Sequence, residues 1–170
     1  MSVETRQKIN DLTGELNLWN PVKSKIEMGL GDIPLLQNFF KEWAKAMDNG
    51  EPVVDAYHDA LETLPEDDPT TDYNEGVTED QLKEKVKFFF GKPLSINPDD
   101  PDNAYLVVRD AASITSDLDV LKGKIRYFFG LQMMADSEID TIQREIDRIN
   151  DQVRIQAESG EGDDTADSEF

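Results

Sequence analysis

The chain's one histidine, His58, stands among carboxylates. Asp55, His58, Asp59 and Glu62 lie 3, 4 and 7 residues from the first of them, so a helix would bring all four to one face. An imidazole beside two or three carboxylates is a donor set for a divalent cation. A di-iron bundle would need further glutamates and a second Glu-x-x-His, and the sequence has neither. The face is therefore expected to be solvated, with no metal and no cofactor. The absence of cysteine removes thiol nucleophiles, disulfides and Cys-based zinc sites. Phosphate-loop, nucleophile-elbow and zincin motifs are also missing, and the expectation is a protein that is not an enzyme.

A second acidic group runs from Leu64 to Asp80, with Glu66, Asp67, Asp68, Asp72, Glu75, Glu79 and Asp80 and no basic residue. It lacks the alternating aspartates, glycine and closing glutamate of a calcium loop, so it reads as exposed loop. Net charge is -20 over 170 residues. Nonspecific nucleic-acid binding needs cations that displace counterions, so direct binding to nucleic acid is not expected. Solubility or adaptation to high salt accounts for such a surface, and mimicry of a phosphate backbone is the alternative.

The basic residues concentrate elsewhere. Leu82-Lys83-Glu84-Lys85-Val86-Lys87-Phe88-Phe89-Phe90-Gly91 is matched by Leu121-Lys122-Gly123-Lys124-Ile125-Arg126-Tyr127-Phe128-Phe129-Gly130. Helical spacing puts Leu82, Val86, Phe89 and Phe90 on one face, and Leu121, Ile125, Phe128 and Phe129 on another. Phe88 and Tyr127 point away from those faces. Either both helices are buried on two sides, or Phe88 with Lys85 and Tyr127 with Lys124 are contact points for a protein or single-stranded nucleic acid. Strands at 86–90 and 124–129 are the structural alternative.

These residues need elements to hold them. Ile9, Leu12, Leu16 and Trp19 make a helical stripe over Glu4 to Trp19, and Asn20-Pro21 should open a new short helix that Gly29 and Gly31 stop. Leu36, Phe39, Phe40, Trp43 and Met47 mark a core helix ended by Asn49-Gly50, and Glu51-Pro52 opens another to about Thr63. Thr78 with Gln81, and Ser116 with Asp119, read as caps of the two matched segments. Pro93, Pro98 and Pro101 mark a turn-rich loop over 94–102, after which Asp102 should cap a helix from Asn103 to Ile114; Val107-Val108 makes strand the alternative there.

The firmest pattern is the last. Ile139, Ile142, Ile146, Ile149 and Val153 follow steps of 3, 4, 3 and 4, a heptad seam over about 136–157. Such a stripe needs a partner, either the first stripe of the same chain or other copies. Isoleucine at both seam positions favours trimers or more. Residues 158–170 hold six acids and no base and should be disordered. An acidic stretch ending on Phe170 resembles the tails of phage and bacterial single-stranded DNA-binding proteins, which implies docking on a partner protein.

Taken together, the fold class expected is all-α: an irregular bundle of six or seven helices over 1–157, with an acidic tail over 158–170. The function expected is a homo-oligomeric structural or assembly protein, such as a component of a virus particle, acting through contacts with its own copies and other protein subunits. The alternative is an acidic adaptor or DNA-mimic inhibitor of a basic nucleic-acid-binding protein. No signal peptide or membrane span is expected, which places the chain in the cytoplasm or a virion.

Overall fold

The computed structural model describes residues 1–66 and 76–159. Of these, 77% are helical, so the expected all-α class holds. The described residues form four helices rather than six or seven: α1 (Val3–Asp48), α2 (Val53–Leu61), α3 (Glu79–Phe90) and α4 (Ala111–Ser159). Two short strands, β1 (Leu94–Ser95) and β2 (Leu106–Val107), pair in parallel with Leu94 opposite Leu106.

The excess in the expected count comes from helix breakers that do not break. Pro21, Gly29, Gly31 and Pro34 all lie inside α1, and Gly123 and Gly130 inside α4. An interior proline loses one hydrogen bond and crowds the carbonyl four residues back, at a cost of about 3 kcal/mol. Apolar side chains flank it on both sides, with Trp19 half-buried and Ile26 6% exposed. Their burial offsets that cost, because a buried aliphatic side chain contributes about 1.5–3 kcal/mol. Gly29 has a positive use: a Cβ there would stand 3.2 Å from the Phe128 ring.

The expected helix from Asn103 to Ile114 is also corrected. Leu106 donates its N–H to the Pro93 carbonyl at 2.9 Å, and Val108 to that of Ser95 at 3.3 Å, which builds the strand pair instead. Asp102 is no cap; its carboxylate meets Arg109 at 2.8 Å. The cap of α4 is Asp110, which accepts from the Ser113 N–H at 2.9 Å while the Ser113 hydroxyl accepts from the Asp110 N–H at 3.3 Å. Ser116 and Asp119 therefore lie within α4 rather than at its start. Thr78 and Gln81 do form the expected capping box of α3, and Gly91 closes that helix at φ 75°.

By internal packing the chain divides in two units: a body, Gly29–Phe128, and an arm pair, Met1–Met28 with the chain from Phe129 onward. The body's core is aromatic. Phe39, Phe40 and Trp43 of α1 meet Tyr57 of α2, with Trp43 and Tyr57 ring centres 5.1 Å apart, and Leu82, Val86, Val108, Ile114 and Leu121 complete it. Two polar groups anchor the helices to one another. Trp43 Nε1 donates to the Val53 carbonyl at 3.1 Å, and the Tyr57 hydroxyl donates to Glu79 at 2.6 Å.

In the arm pair the helix segments run antiparallel, since Lys8 meets Glu145 at 3.4 Å while Lys23 meets Asp136 at 2.9 Å. Ile26, Ala135, Ile142, Ile146 and Ile149 are buried there, and Ile9, Leu12, Leu16, Trp19, Ile139 and Val153 half-buried. Both stripes keep heptad steps, as a two-helix seam requires.

Candidate functional site

The two matched segments meet at matched residues. Phe89 of α3 and Phe128 of α4 hold the same place in the ten-residue pattern, and their rings touch edge to face at 5.7 Å. Each is flanked by the aromatic before it: Phe88 lies 5.0 Å from Phe89, and Tyr127 lies 5.9 Å from Phe128. The result is a chain of four rings. Its inner pair is packed, with Phe89 5% exposed and Phe128 held against Gly29, while its outer members Phe88 and Tyr127 are 68% and 61% exposed. Helical spacing explains this, because Phe88 and Tyr127 each sit about 100° around the helix from a ring facing inward. Rings in T-shaped contact are worth about 0.5–1.5 kcal/mol beyond their buried area, so each exposed ring gains from its inner neighbour.

The charges around the rings divide. Lys85 does not stand free beside Phe88; it is half-buried and bonded to Asp32 at 3.1 Å. An open depression beside Phe88 is lined by Asp32, Asp80, Gln81, Glu84 and Lys85, so that end of the ring chain has an acidic rim. The Tyr127 end is different. Lys124 is half-buried with no carboxylate within ion-pair distance among the described residues, and neither Lys122 nor Arg126 has one. Phe88 with Lys85 and Tyr127 with Lys124 are thus brought to two ends of one structure, and Phe170 lies outside the described residues.

The isoleucine stripe takes a different place. Ile142, Ile146 and Ile149 are 5–8% exposed within a single chain, with Ile139 and Val153 half-buried. The first stripe of α1 already covers them. Glu145 beside this seam is held down to about pH 2 in its ionisation, first by the hydrogen bond from Arg148 and then by Lys8.

Asp55, His58 and Asp59 are exposed on α2 and Glu62 is exposed at its C-cap, and the described residues contain no group of three His, Asp or Glu arranged to hold a metal ion. The Glu51 carboxyl shares a hydrogen bond with Asp59, which raises its pKa, and Asp55 adds to the crowding. No described helix is long and apolar enough to cross a membrane.

Sequence reasoning missed Asp117. It is 8% exposed, its Oδ2 has no hydrogen-bond partner, and burial pushes its carboxyl up to about 6. Its spacing was the available signal, since Ile114, Asp117, Leu118 and Leu121 fall on one helical stripe. An acid on an apolar stripe is either paired or raised in pKa, and this one is raised.

Comparison with protein-family models found no match, and neither the curated proteins nor the solved structures gave a significant one.

Proposed function

We propose that this chain is a non-enzymatic assembly protein that works by protein–protein contact, with the ring chain Phe88–Phe89–Phe128–Tyr127 as its recognition surface. One observation carries the reading: two large aromatics stand exposed beside a packed aromatic pair, buried Phe89 and half-buried Phe128. Aromatic side chains presented rigidly on a packed base supply contact area at low entropic cost, which is why they anchor protein interfaces. Lys124 and Arg126 at the Tyr127 end, without carboxylate partners among the described residues, favour a partner that brings acids there. A particle component or an assembly factor for one is the kind of protein this describes. Association through Ile139, Ile142, Ile146, Ile149 and Val153 fits the reading only as arm exchange, with α1 of one copy covering the stripe of another.

The test compares the proteins retained from a lysate of the source cells by the immobilised intact chain and by a Phe88→Ser, Tyr127→Ser variant. At least one protein should bind the first and be lost from the second, with circular dichroism unchanged. Equal retention by both would remove the ring chain as the recognition surface.

A second reading, the acidic adaptor or DNA mimic, works through the acidic run from Leu64 to Asp80 and the tail, of which residues 67–75 and 160–170 lie outside the described residues, and the crowded carboxylates Glu51, Asp55 and Asp59 add to it. It predicts a salt-sensitive complex with a basic nucleic-acid-binding protein that DNA displaces.

A further inference from the structure

The ring chain carries opposite free charge at its two ends, although one pattern builds both. Phe88 and Tyr127 hold the same place in the matched segments, and so do Lys85 and Lys124, and Lys87 and Arg126. Internal pairing sets the ends apart. Near Phe88, Lys83 meets Glu79 at 3.7 Å and Lys85 meets Asp32 at 3.1 Å, whereas exposed Asp80 and Glu84 have no cation within ion-pair distance among the described residues. Lys87, one turn from Glu84, does not line the depression that these acids share with Phe88. Near Tyr127 it is the cations Lys122, Lys124 and Arg126 that lack ion pairs among the described residues, and Gly123 stands where the first segment has Glu84. Exposed Asp119, one turn before Lys122, is the one acid from there to Tyr127 and pairs with none of the three.

The two ends are complementary. The depression beside Phe88, of 450 Å³, has Asp32, Asp80 and Glu84 against Lys85, two net negative charges; the stretch from Asp119 to Tyr127 has two net positive ones. Within one copy neither end answers the other, because no carboxylate of the described residues reaches Lys124 or Arg126. A partner of a single sign would suit one end and be repelled at the other. A second copy supplies both signs in equal number, each beside an exposed ring. Its surface can come close to Tyr127, since nothing lies within 4 Å of a Cβ at Gly123, one turn before it. The net charge of -20 opposes association, but charges beyond about 8 Å are screened at physiological salt, and ion pairs at contact distance lie inside that length.

We infer that copies of this chain associate head to tail, the Tyr127 end of one ring chain seating in the Phe88 depression of the next, with Lys124 and Arg126 against Asp80 and Glu84. This contact, which rests on the ring chain being a recognition surface, is heterologous: each copy uses one end and presents the other, so copies add until a ring closes or a filament grows. The rings supply most of the contact area. The charges at the rim fix orientation and suppress the pairing of like ends. The Ile stripe stays inside each copy, and no exchange of arms is needed.

Two variants of the full chain test the contact from its two sides. Asp80→Asn with Glu84→Gln blunts the acidic end, and Lys124→Gln with Arg126→Gln blunts the basic end. By light scattering on a sizing column over a hundredfold range of concentration, the intact chain should rise above its 19.2 kDa mass. Each variant alone, with circular dichroism unchanged, should need about tenfold more protein to do so. An equal mixture of the two should associate as readily as the intact chain and stop at twice the mass, because one brings an intact Tyr127 end and the other an intact Phe88 depression. The acidic-end variant has a net charge of only -18, so general repulsion alone would make it associate more tightly than the intact chain. That result overturns the inference. So does an intact chain that stays monomeric throughout, or a mixture no more associated than its components. A monomeric chain leaves the ring-chain reading standing, because that reading is decided by the lysate proteins lost from the Phe88→Ser, Tyr127→Ser variant.

Discussion

The large side chains that are buried in the arm pair are all isoleucines, Ile26, Ile142, Ile146 and Ile149, whereas Trp43, Tyr57, Phe39 and Phe40 lead the fully buried set in the body. The arm pair has one seam, repeated every seven residues, and each residue on it meets solvent on either flank. The body closes around its rings from four helices and the strand pair, and a ring there reaches beyond its own element; Phe39 contacts Tyr57 of α2 as well as Phe40 and Trp43 of α1. A repetitive seam distributes stability along its length. An aromatic core concentrates it in a few residues whose loss leaves space that nothing can fill.

That contrast is broken most directly by truncating one buried residue in each region. Phe39→Ala should cost about 3–5 kcal/mol, and Ile146→Ala about 2 kcal/mol because the flanking solvent and neighbouring side chains let the seam collapse. Urea unfolding in a Trp19→Phe background reports the body through Trp43 emission and the helices through circular dichroism. Equal losses would show that the two regions are not packed differently. A shift in the helical transition on Ile146→Ala, with Trp43 emission unmoved, would show that they unfold separately.

A smaller effect sharpens the description of the arms. Pro21→Ala should stabilise the chain by roughly 1–3 kcal/mol, because it restores a backbone hydrogen bond inside α1 and removes a steric clash. If the midpoint in urea does not rise, the helix is interrupted at Pro21.

The smallest belongs to the body. Asp117 has a folded-state pKa raised from 3.8 to about 6, so the stability it contributes is fully present below about pH 3.8 and lost as the pH rises through 6. The lowered carboxylates Glu79 and Glu145 act in the opposite sense, but only below the ordinary carboxylate range. Between pH 7 and pH 5 the chain should therefore gain stability on acidification. Asp117→Asn should remove that gain and stabilise the protein at pH 7 by about 1–2 kcal/mol, since the buried oxygen no longer carries charge. A denaturation series at pH 7, 6 and 5 decides this, and identical pH slopes for the two proteins would refute it.

The features legible in the sequence were those set by neighbours along the chain. The heptad stripe from Ile139 to Val153, the capping box of Thr78 and Gln81 and the stop at Gly50 are local physics, and each is where the spacing puts it. Pro21, Gly29 and Gly31 misled because a breaker's local cost is smaller than the packing on either side of it. Only one side of the strand pair was visible, as the strand alternative at Val107-Val108; β1 was hidden because two residues carry almost no periodicity, and Leu94 finds Leu106 only through the fold. The ring chain was half visible. The helical wheel sets Phe88 and Tyr127 apart from their helices' inner faces, but it says nothing of Phe89 meeting Phe128, which joins residues far apart in the chain.

The hydrogen bond from Val77 to the Pro65 carbonyl, at 2.9 Å, has a bearing on how this protein can change over evolution. It pins both ends of the acidic segment that joins α2 to α3, and Leu64 and Tyr57 anchor the chain on the near side of it. Once a connection's ends are fixed, doubling its length costs only about 0.6 kcal/mol in closure entropy. The bond between Val77 and Pro65 therefore holds the described ends of the connection together, and a longer connection between them would add little to the cost of folding.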